Sequence, residues 1–263
     1  MRILLVNVNT TDSVTEVIAE QARSVAAPGT EIVPLTPFFG PESVEGNFES
    51  YLSAVAVMDR VVAYDGPYDA VVQAGFGEHG REGLQELCDV PVIDITEAAA
   101  HLACLIGRRY SVVTSLDRTV PQIQDRLLLA GLDRRCASVR ASGLPVLDIE
   151  RGPAAATAAI AAQARAAVEE DGAEVICLGC SGMAGLDEAV RAATGVPVID
   201  GVTAAIPLAE SLVGLGLSTS KVRTYATPRP KAVTGWPLRP ASTSTTVPTA
   251  TPPSPRDARV RLL

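Results

Sequence analysis

The sequence predicts an α/β fold of two similar lobes, each a parallel sheet flanked by helices, with the active site in the cleft between them. Three observations support this. Short continuous Val/Ile-rich segments alternate with helical ones, the alternation starts again near residue 109, and one motif occurs twice. Continuous apolar strands separated by helices indicate parallel sheets that are covered on both faces. A chain of 263 residues is long enough to bury such a core.

Strand and helix segments alternate through both halves of the chain. In the first half we expect strands at Arg2–Asn7, Glu31–Leu35, Ala70–Ala74 and 91–95, and helices at 13–26, 51–64 and 80–87. In the second half we expect strands at Tyr110–Thr114, 137–140, Val175–Leu178 and 196–199, and helices at 119–130, 153–170, 186–193 and 204–215. These elements predict a first lobe from residues 1–96 and 204–235, a second lobe from 97–203, and a disordered Pro/Ser/Thr-rich tail at 236–263.

The repeated motif aligns the two halves with each other. Pro91-Val-Ile-Asp94 recurs as Pro197-Val-Ile-Asp200, which indicates lobes related by a pseudo-twofold axis. Counting back from each motif with a one-residue gap places Gly75 over Cys180. Ligands of open α/β sheets bind beyond the carboxyl ends of the strands, so we expect both turns to face one site.

The composition excludes several classes of function. A net charge of −8 argues against nucleic acid as a main partner, since phosphate binding needs a basic face, and two histidines are too few for a three-histidine zinc site. No segment has the features of a signal peptide or a membrane span, and five scattered cysteines do not indicate a disulfide framework. We therefore expect a cytoplasmic protein whose partner is a small-molecule substrate, with no metal, membrane or nucleic-acid partner. We also expect a homo-oligomer.

A dinucleotide-binding fingerprint is one interpretation of the first glycine-rich turn. Gly75-Phe-Gly77-Glu-His-Gly80 follows an expected strand, with Asp94 at a suitable distance downstream. However, the turn follows a strand in the middle of the lobe, and the second half has a similar turn from Cys180 to Gly185. A feature common to both halves favours a scaffold turn whose amides face a small anion.

Cys180 is the cysteine that the sequence singles out. Cys177-Leu-Gly-Cys180 has the spacing of redox and zinc sites, but the chain has no second pair with that spacing. Cys177 lies within an expected strand and is predicted to be a buried apolar residue. Cys180 follows that strand and precedes Ser181-Gly182 and an expected helix. Since a helix N-terminus stabilises a thiolate, we expect a lowered pKa at Cys180.

Other polar residues follow the strands that end at the same cleft. Asn9 comes after the first strand, and Thr114 and Ser115 hold the corresponding place in the second half. Helix capping by Thr10, Thr11 or Asp12 is the structural alternative at the first of these turns. His79 can be interpreted as an ordinary loop histidine or, because it lies close to Gly75 in sequence, as a catalytic base.

Several motifs together resemble those of the hydantoin racemases, which belong to the aspartate/glutamate racemase superfamily. The resemblance spans about residues 1–235 and includes Asn7-x-Asn9-Thr-Thr, Pro41-x-Ser-Val-Glu-Gly46, Gly179-Cys-Ser-Gly-Met183, Gly195-Val-Pro-Val-Ile-Asp-Gly201 and Leu215-Gly-Leu-Ser-Thr-Ser-Lys221. It implies a two-lobed α/β enzyme that needs no cofactor or metal. It also implies two cysteines that flank an acidic carbon, one removing its proton and the other returning a proton on the opposite face.

The chain departs from that pattern at one position. Cys180 matches the second cysteine, but the first should stand at position 75, where the chain has Gly75. We expect a racemase-like enzyme acting beside a carbonyl, on hydantoins or related ureides, with Cys180 as acid/base and His79 as candidate second proton donor. The residues expected to hold substrate oxygens are Asn9, Gly75, Phe76, Gly77, Thr114, Ser115, Ser181 and Gly182. The alternatives are a one-cysteine decarboxylase similar to arylmalonate decarboxylase, and a non-catalytic protein that binds a small acid.

Overall fold

Two parallel sheets of four strands each form the framework of the computed structural model, which describes residues 1–151 and 153–231. The predicted tail, 236–263, lies outside the described residues. The strands are β1 (Arg2–Asn7), β2 (Glu31–Leu35), β3 (Ala70–Ala74), β4 (Val92–Asp94), β5 (Tyr110–Thr114), β6 (Cys136–Ala141), β7 (Val175–Leu178) and β8 (Val198–Asp200). The helices are α1 (Asp12–Val25), α2 (Asn47–Val62), α3 (Arg81–Leu87), α4 (Ile95–Ile106), α5 (Val120–Leu129), α6 (Val146–Arg151), α7 (Pro153–Glu169), α8 (Asp187–Thr194) and α9 (Gly201–Gly214).

The sheet topology confirms the two-lobed α/β fold and its internal repeat. The strand orders are β2-β1-β3-β4 and β6-β5-β7-β8, so each strand of one sheet has a counterpart in the other. Gln73 pairs with Asp94 in the first sheet, and Leu178 pairs with Asp200 in the second. Gly75 and Cys180 each stand two residues beyond these paired positions. The register therefore makes Gly75 and Cys180 equivalent, as the repeat predicts.

The apolar strands pack helices on both faces, as their sequences predict. Ile3 and Leu5 of β1 face one core cluster and Leu4 and Val6 face another, and all four are fully buried. Side chains alternate between the two faces of a strand, so a strand covered on both sides must be apolar throughout.

Helices α4 and α9 pack against each other between the sheets and join them. Besides contacts within its own half, α4 contacts β7, and α9 contacts β3. Their facing sides are rich in alanine, including Ala99 and Ala205, which allows close approach. A Cβ on Gly201 would lie 2.6 Å from the Ile95 carbonyl oxygen, so this approach requires glycine at position 201.

A buried arginine links α5 to the first half of the chain. Arg126 is 2% exposed, and its guanidinium lies 2.9 Å from Asp94 Oδ2, 2.6 Å from Glu82 Oε1 and 2.5 Å from Glu97 Oε1. Three close carboxylates offset the cost of burying one cation.

Three details differ from the sequence predictions. Helix α2 begins at Asn47, four residues before the predicted start at 51, and α6 was not predicted. The chain after Cys180 forms only a single 3₁₀ turn, Ser181–Met183, before α8 begins at Asp187. Within the described residues, no helix is both long and apolar enough to cross a membrane.

Candidate active site

The turns after β1, β3, β5 and β7 meet at one small cavity in the cleft. Its volume is about 30 Å³, which is room for about two water molecules. The lining residues are Val8, Asn9, Val44, Gly75, Phe76, His79, Thr114, Ser115, Thr119, Gln122, Val146, Gly179, Cys180 and Ser181. Seven of the predicted site residues and the candidate donor His79 therefore lie around one space.

Cys180 lies at the start of the 3₁₀ turn with an extended backbone. Desolvation in the cleft raises the pKa of its thiol to about 11, although the Gly182 and Met183 amides act in the opposite direction. The Glu45 carboxylate adds to the increase. The expectation of a lowered pKa is therefore wrong, because one short turn cannot offset the loss of solvent around the sulfur. Cys180 is a neutral thiol at neutral pH.

The space beside Gly75 is filled by two neighbouring side chains. A Cβ at this position would lie 2.3 Å from Cδ2 of His79 and 2.4 Å from Cγ1 of Val8. These distances are far below van der Waals contact, so the imidazole and the valine occupy the volume into which a side chain at residue 75 would project.

His79 is buried and uncharged. The residue is 4% exposed, and burial lowers its pKa to about 4. Its Nδ1 lies 3.0 Å from Ser50 Oγ, and its Nε2 lies 3.4 Å from the Phe76 carbonyl oxygen. A histidine in such surroundings stays neutral across the physiological range.

Asn9 presents an amide donor to the cavity. Its Oδ1 accepts hydrogen bonds from Asn7 Nδ2 and from the Thr11 backbone N–H, both at 2.9 Å. Because a backbone N–H can only donate, the atom facing Thr11 must be the oxygen. The Asn9 Nδ2 group is therefore directed elsewhere, and none of the hydrogen bonds found among the described residues uses it.

Thr114 and Ser115, the two polar residues at the end of β5, differ in whether their hydroxyl groups are already hydrogen-bonded. The Thr114 hydroxyl lies 3.1 Å from the Gly179 carbonyl oxygen, so it holds the turn that carries Cys180. Ser115 is 2% exposed and lines the cavity, and its carbonyl accepts from the Gly143 N–H at 2.8 Å. The Ser115 hydroxyl has no hydrogen bond within the described part of the chain.

Two of the predicted glycines stand outside the lining. The Gly77 amide donates to Thr96 Oγ1 at 2.8 Å, so it is already paired. Gly182 lines a neighbouring cavity of about 170 Å³, which shares Ser181 and Val146 with the first. Phe76 and Ser181 do line the first cavity.

Six lining residues were not predicted: Val8, Val44, Thr119, Gln122, Val146 and Gly179. Val44 belongs to the Pro41–Gly46 motif. That motif, which contributes to the family resemblance, was the one sequence feature that could have placed any of these six residues in the site. The loop containing it crosses the cleft: Thr11 Oγ1 donates to the Glu42 carbonyl at 2.7 Å, and the Val146 N–H donates to Glu45 Oε1 at 2.9 Å.

The described residues do not support a metal site, a dinucleotide site or a redox role for Cys177. No group of three or more His, Cys, Asp or Glu residues suited to a metal ion occurs in residues 1–151 and 153–231. Asp94, the candidate ribose ligand of a dinucleotide site, is fully buried, pairs with Arg126 and accepts from the Glu97 N–H. Cys177 is fully buried in β7, as predicted.

Known proteins resemble this chain over nearly its whole described length. A model of the Asp/Glu/hydantoin racemase family matches residues 3–209. A protein named hydantoin racemase, from Rhizobium meliloti, is 42% identical over 236 residues, which cover 89% of this chain and 98% of the relative.

Solved structures agree with the sequence comparison. The crystal structure of allantoin racemase from Pseudomonas fluorescens matches with a TM-score of 0.88 and 74% identity, covering 89% of this chain and 100% of that one. A structure of arylmalonate decarboxylase matches with a TM-score of 0.58 at 18% identity, covering 86% of this chain and 97% of that one. The latter likeness shows the fold alone.

Proposed function

This chain belongs to the Asp/Glu/hydantoin racemase family, and from that premise we propose that it racemises C5 of hydantoin-type ureides. We propose allantoin, which is 5-ureidohydantoin, as the first substrate to test. The named relatives support this choice, since one is a hydantoin racemase and a structure at 74% identity is an allantoin racemase. We also propose that the reaction needs no cofactor, as the sequence resemblance implies.

One observation supports the chemistry most directly: the Cys180 thiol lines the same small cavity as Asn9, Ser115 and His79. The hydrogen on C5 of a hydantoin is acidic because the adjacent C4 carbonyl can take up the charge as an enolate. The Asn9 amide and the Ser115 hydroxyl are donors suited to that developing oxyanion. Cys180, which is protonated at neutral pH, is suited to deliver a proton to C5.

The two alternatives are not favoured. Gly75 opposite a single cysteine suggests a decarboxylase, but the likeness to arylmalonate decarboxylase extends to the fold only. A non-catalytic binding protein would not need a thiol at the carboxyl end of β7. The relatives at 42% and 74% identity are named as a hydantoin racemase and an allantoin racemase.

We further propose that the cleft opens to admit substrate. A cavity of about 30 Å³ is smaller than any hydantoin ring. The adjacent 170 Å³ cavity is separated from it by Val146 and Ser181, which line both. Movement of α6, which carries Val146, away from the Pro41–Gly46 loop would join the two spaces.

A homo-oligomer and a cytoplasmic location also remain proposals. Four exposed apolar side chains near the ends of α4 and α5 support assembly: Leu105, Ile106, Leu128 and Leu129. The native mass in solution tests the first proposal, and fractionation of the source cells tests the second.

The proposed activity is tested with single enantiomers of allantoin and of 5-benzylhydantoin. Circular dichroism follows the loss of optical activity, and proton NMR in deuterated water follows exchange at C5, each corrected for the uncatalysed rate. We expect inversion with deuterium incorporation, lost in Cys180→Ala. Absence of both inversion and exchange at high enzyme concentration would sink the substrate assignment, and release of carbon dioxide from an arylmalonate would revive the decarboxylase.

A further inference from the structure

We propose that the first half of the chain carries a second small-molecule site, separate from the cleft, which binds a neutral amide or ureide with an apolar body. The site is a cavity of about 380 Å³ bounded by α3, β4, α4, α9 and the segment 217–219. It shares no lining residue with either of the two cavities of the cleft. Binding at this site does not require the proposed racemase activity.

The volume and the apolar walls of this cavity suit a small molecule. Ligand sites usually occupy about 300–1,000 Å³ and combine a largely apolar lining with a few polar groups. Ala98, Leu208, Leu212 and Leu217 supply apolar surface here. The lining also includes β4, which is the edge strand of the first sheet, so the cavity lies where that sheet ends.

Two side chains of α3 that line the cavity carry buried polar atoms without hydrogen bonds. Gln85 is 7% exposed, and its Oε1 has no partner among residues 1–151 and 153–231. Its Nε2 makes a long contact, 3.5 Å, with the Val92 carbonyl oxygen. One turn earlier, Arg81 Nε is buried without a hydrogen bond, although it lies 3.4 Å from Asp94 Oδ2. Because an unpaired buried polar atom is unfavourable, both atoms favour a ligand that supplies their partners.

The two atoms have opposite requirements, and together they select a class of ligand. Oε1 of Gln85 needs a donor, whereas the Nε–H of Arg81 needs an acceptor. Residues four apart on a helix lie on the same face, so the two side chains are neighbours. An amide or a ureide presents an N–H and a C=O side by side, and one such group can therefore bind both atoms.

The charges around Arg81 favour a neutral ligand. Its Nη1 lies 2.8 Å from Glu97 Oε1 and 3.3 Å from Glu82 Oε1, and its Nε lies beside Asp94. Carboxylates thus already balance the positive charge, and they would repel an anionic ligand. A cationic ligand has no acceptor to offer the Nε–H of Arg81.

The segment after α9 that forms one wall of the cavity is fixed to the rest of the lobe. Thr219 Oγ1 donates to the Val90 carbonyl oxygen at 3.0 Å, and Lys221 Nζ donates to the Gln85 carbonyl oxygen at 2.7 Å. Both side chains belong to the Leu215–Lys221 motif, and that motif supplies no lining residue to the described cavities of the cleft. The motif instead holds one wall of the second cavity against α3.

The test measures binding of phenylurea, a neutral ureide with an apolar ring, to the full-length protein by titration calorimetry and amide NMR. We expect saturable binding that shifts the amide signals of α3 and β4. Gln85→Leu keeps the approximate size of the side chain but removes Oε1, so it should abolish these shifts and weaken binding by about tenfold or more. Phenylacetate, an anion, and phenylguanidinium, a cation, should each bind about tenfold or more weakly than phenylurea.

Two further variants keep the test decisive if Gln85→Leu fails to fold. Ser218→Phe adds bulk from the segment 217–219 without changing α3, and it should also abolish binding. Ser211→Ala is the matched control, because the Ser211 hydroxyl already donates to the Pro207 carbonyl oxygen at 2.7 Å. This variant should bind phenylurea within about threefold of the wild-type affinity.

Several results would overturn the proposed site. Absence of phenylurea binding at millimolar concentration would show that the cavity does not take this class of ligand. Equal affinity in wild type, Gln85→Leu and Ser218→Phe, or NMR shifts confined to the cleft, would place the ligand elsewhere. Equal affinity for phenylacetate and phenylurea would contradict the preference for a neutral ligand.

Discussion

Glu45 Oε1 accepts a hydrogen bond from the Val146 backbone N–H at 2.9 Å, which ties the loop after β2 to the first turn of α6 across the cleft. The same carboxylate raises the pKa of the Cys180 thiol. One side chain thus affects both the closure of the site and the protonation state of its cysteine.

The two effects of Glu45 can be separated by substitution. Glu45→Gln keeps an acceptor for Val146 but removes the charge, so it should lower the pKa of Cys180 and speed alkylation of the thiol by iodoacetamide at a given pH. Glu45→Ala should also loosen the loop, and we expect kcat/KM for racemisation to fall by about tenfold, the equivalent of about 1.4 kcal/mol. Equal alkylation rates in Glu45→Gln and wild type would contradict the electrostatic effect.

Asn9→Asp tests the proposed oxyanion donor. Aspartate keeps an oxygen for Asn7 and Thr11 but replaces the Nδ2 donor with a negative charge. We expect kcat to fall by roughly 10²–10³-fold, as for the loss of one oxyanion donor. Melting temperature should fall as well, because Asn9 is 3% exposed and an unpaired buried carboxylate is costly, so the rates are compared at a temperature where both proteins are folded. Near-normal kcat with a raised KM would show that Asn9 contributes binding alone.

The pH dependence of racemisation follows from the pKa of Cys180. Burial raises the pKa of this thiol to about 11, so its proton is present at neutral pH. We therefore expect kcat/KM to be unaffected by this group up to about pH 9.5 and to fall as pH rises through about 11. A fall in kcat/KM that follows titration of Cys180 near pH 8 would contradict this protonation state.

His79 also links stability to pH. Its pKa in the folded protein, about 4, lies below the ordinary value of about 6.5, so as pH falls the unfolded chain takes up the proton first. The contribution to stability is complete above about pH 6.5 and is lost as pH falls toward 4, on the order of 3 kcal/mol. Urea unfolding of His79→Asn should show a shallower decrease over that range than wild type. His101→Asn should leave the decrease unchanged.

Arg126→Met tests the buried ion pairs. Removing the guanidinium leaves Asp94 and Glu97 without their central partner, and we expect the free energy of unfolding to fall by about 3–5 kcal/mol. Arg140→Met breaks pairs with Glu170 and Asp171 that are more exposed, and it should cost about 1 kcal/mol or less. Similar losses in the two variants, measured by urea unfolding, would refute the special role of Arg126.

Features that depend on local pattern could be predicted from the sequence. Continuous apolar strands and the repeated Pro-Val-Ile-Asp motif are sufficient to predict two parallel sheets, and the repeat pairs Gly75 with Cys180 before any contact is known. The glycine-rich turns and the polar residues after the strands likewise indicate the cleft. Helix α6 was missed because its six residues are too few for a clear helical period.

Features that depend on distant segments could not be predicted. The pKa of Cys180 reflects burial by the Pro41–Gly46 loop and α6, which lie far from it in sequence. The neutral state of His79 depends on burial, and one of its hydrogen-bond partners, Ser50, lies 29 positions earlier. The three close carboxylates around Arg126 come from α3, from the end of β4 and from α4, and no spacing rule connects them.

The contact between Gly201 and Ile95 has a mechanical consequence. With no Cβ at residue 201, the start of α9 rests directly on the start of α4, and the close packing of these two alanine-rich helices holds the two halves together. We therefore expect the cleft to open by movement of the Pro41–Gly46 loop and α6, whose link is one hydrogen bond from the Val146 N–H to Glu45, and not by separation of the halves at α4 and α9. A larger side chain at position 201 would push α9 away from α4. The resulting shift between the two halves would change the distances across the cavity between residues such as Asn9 and Cys180.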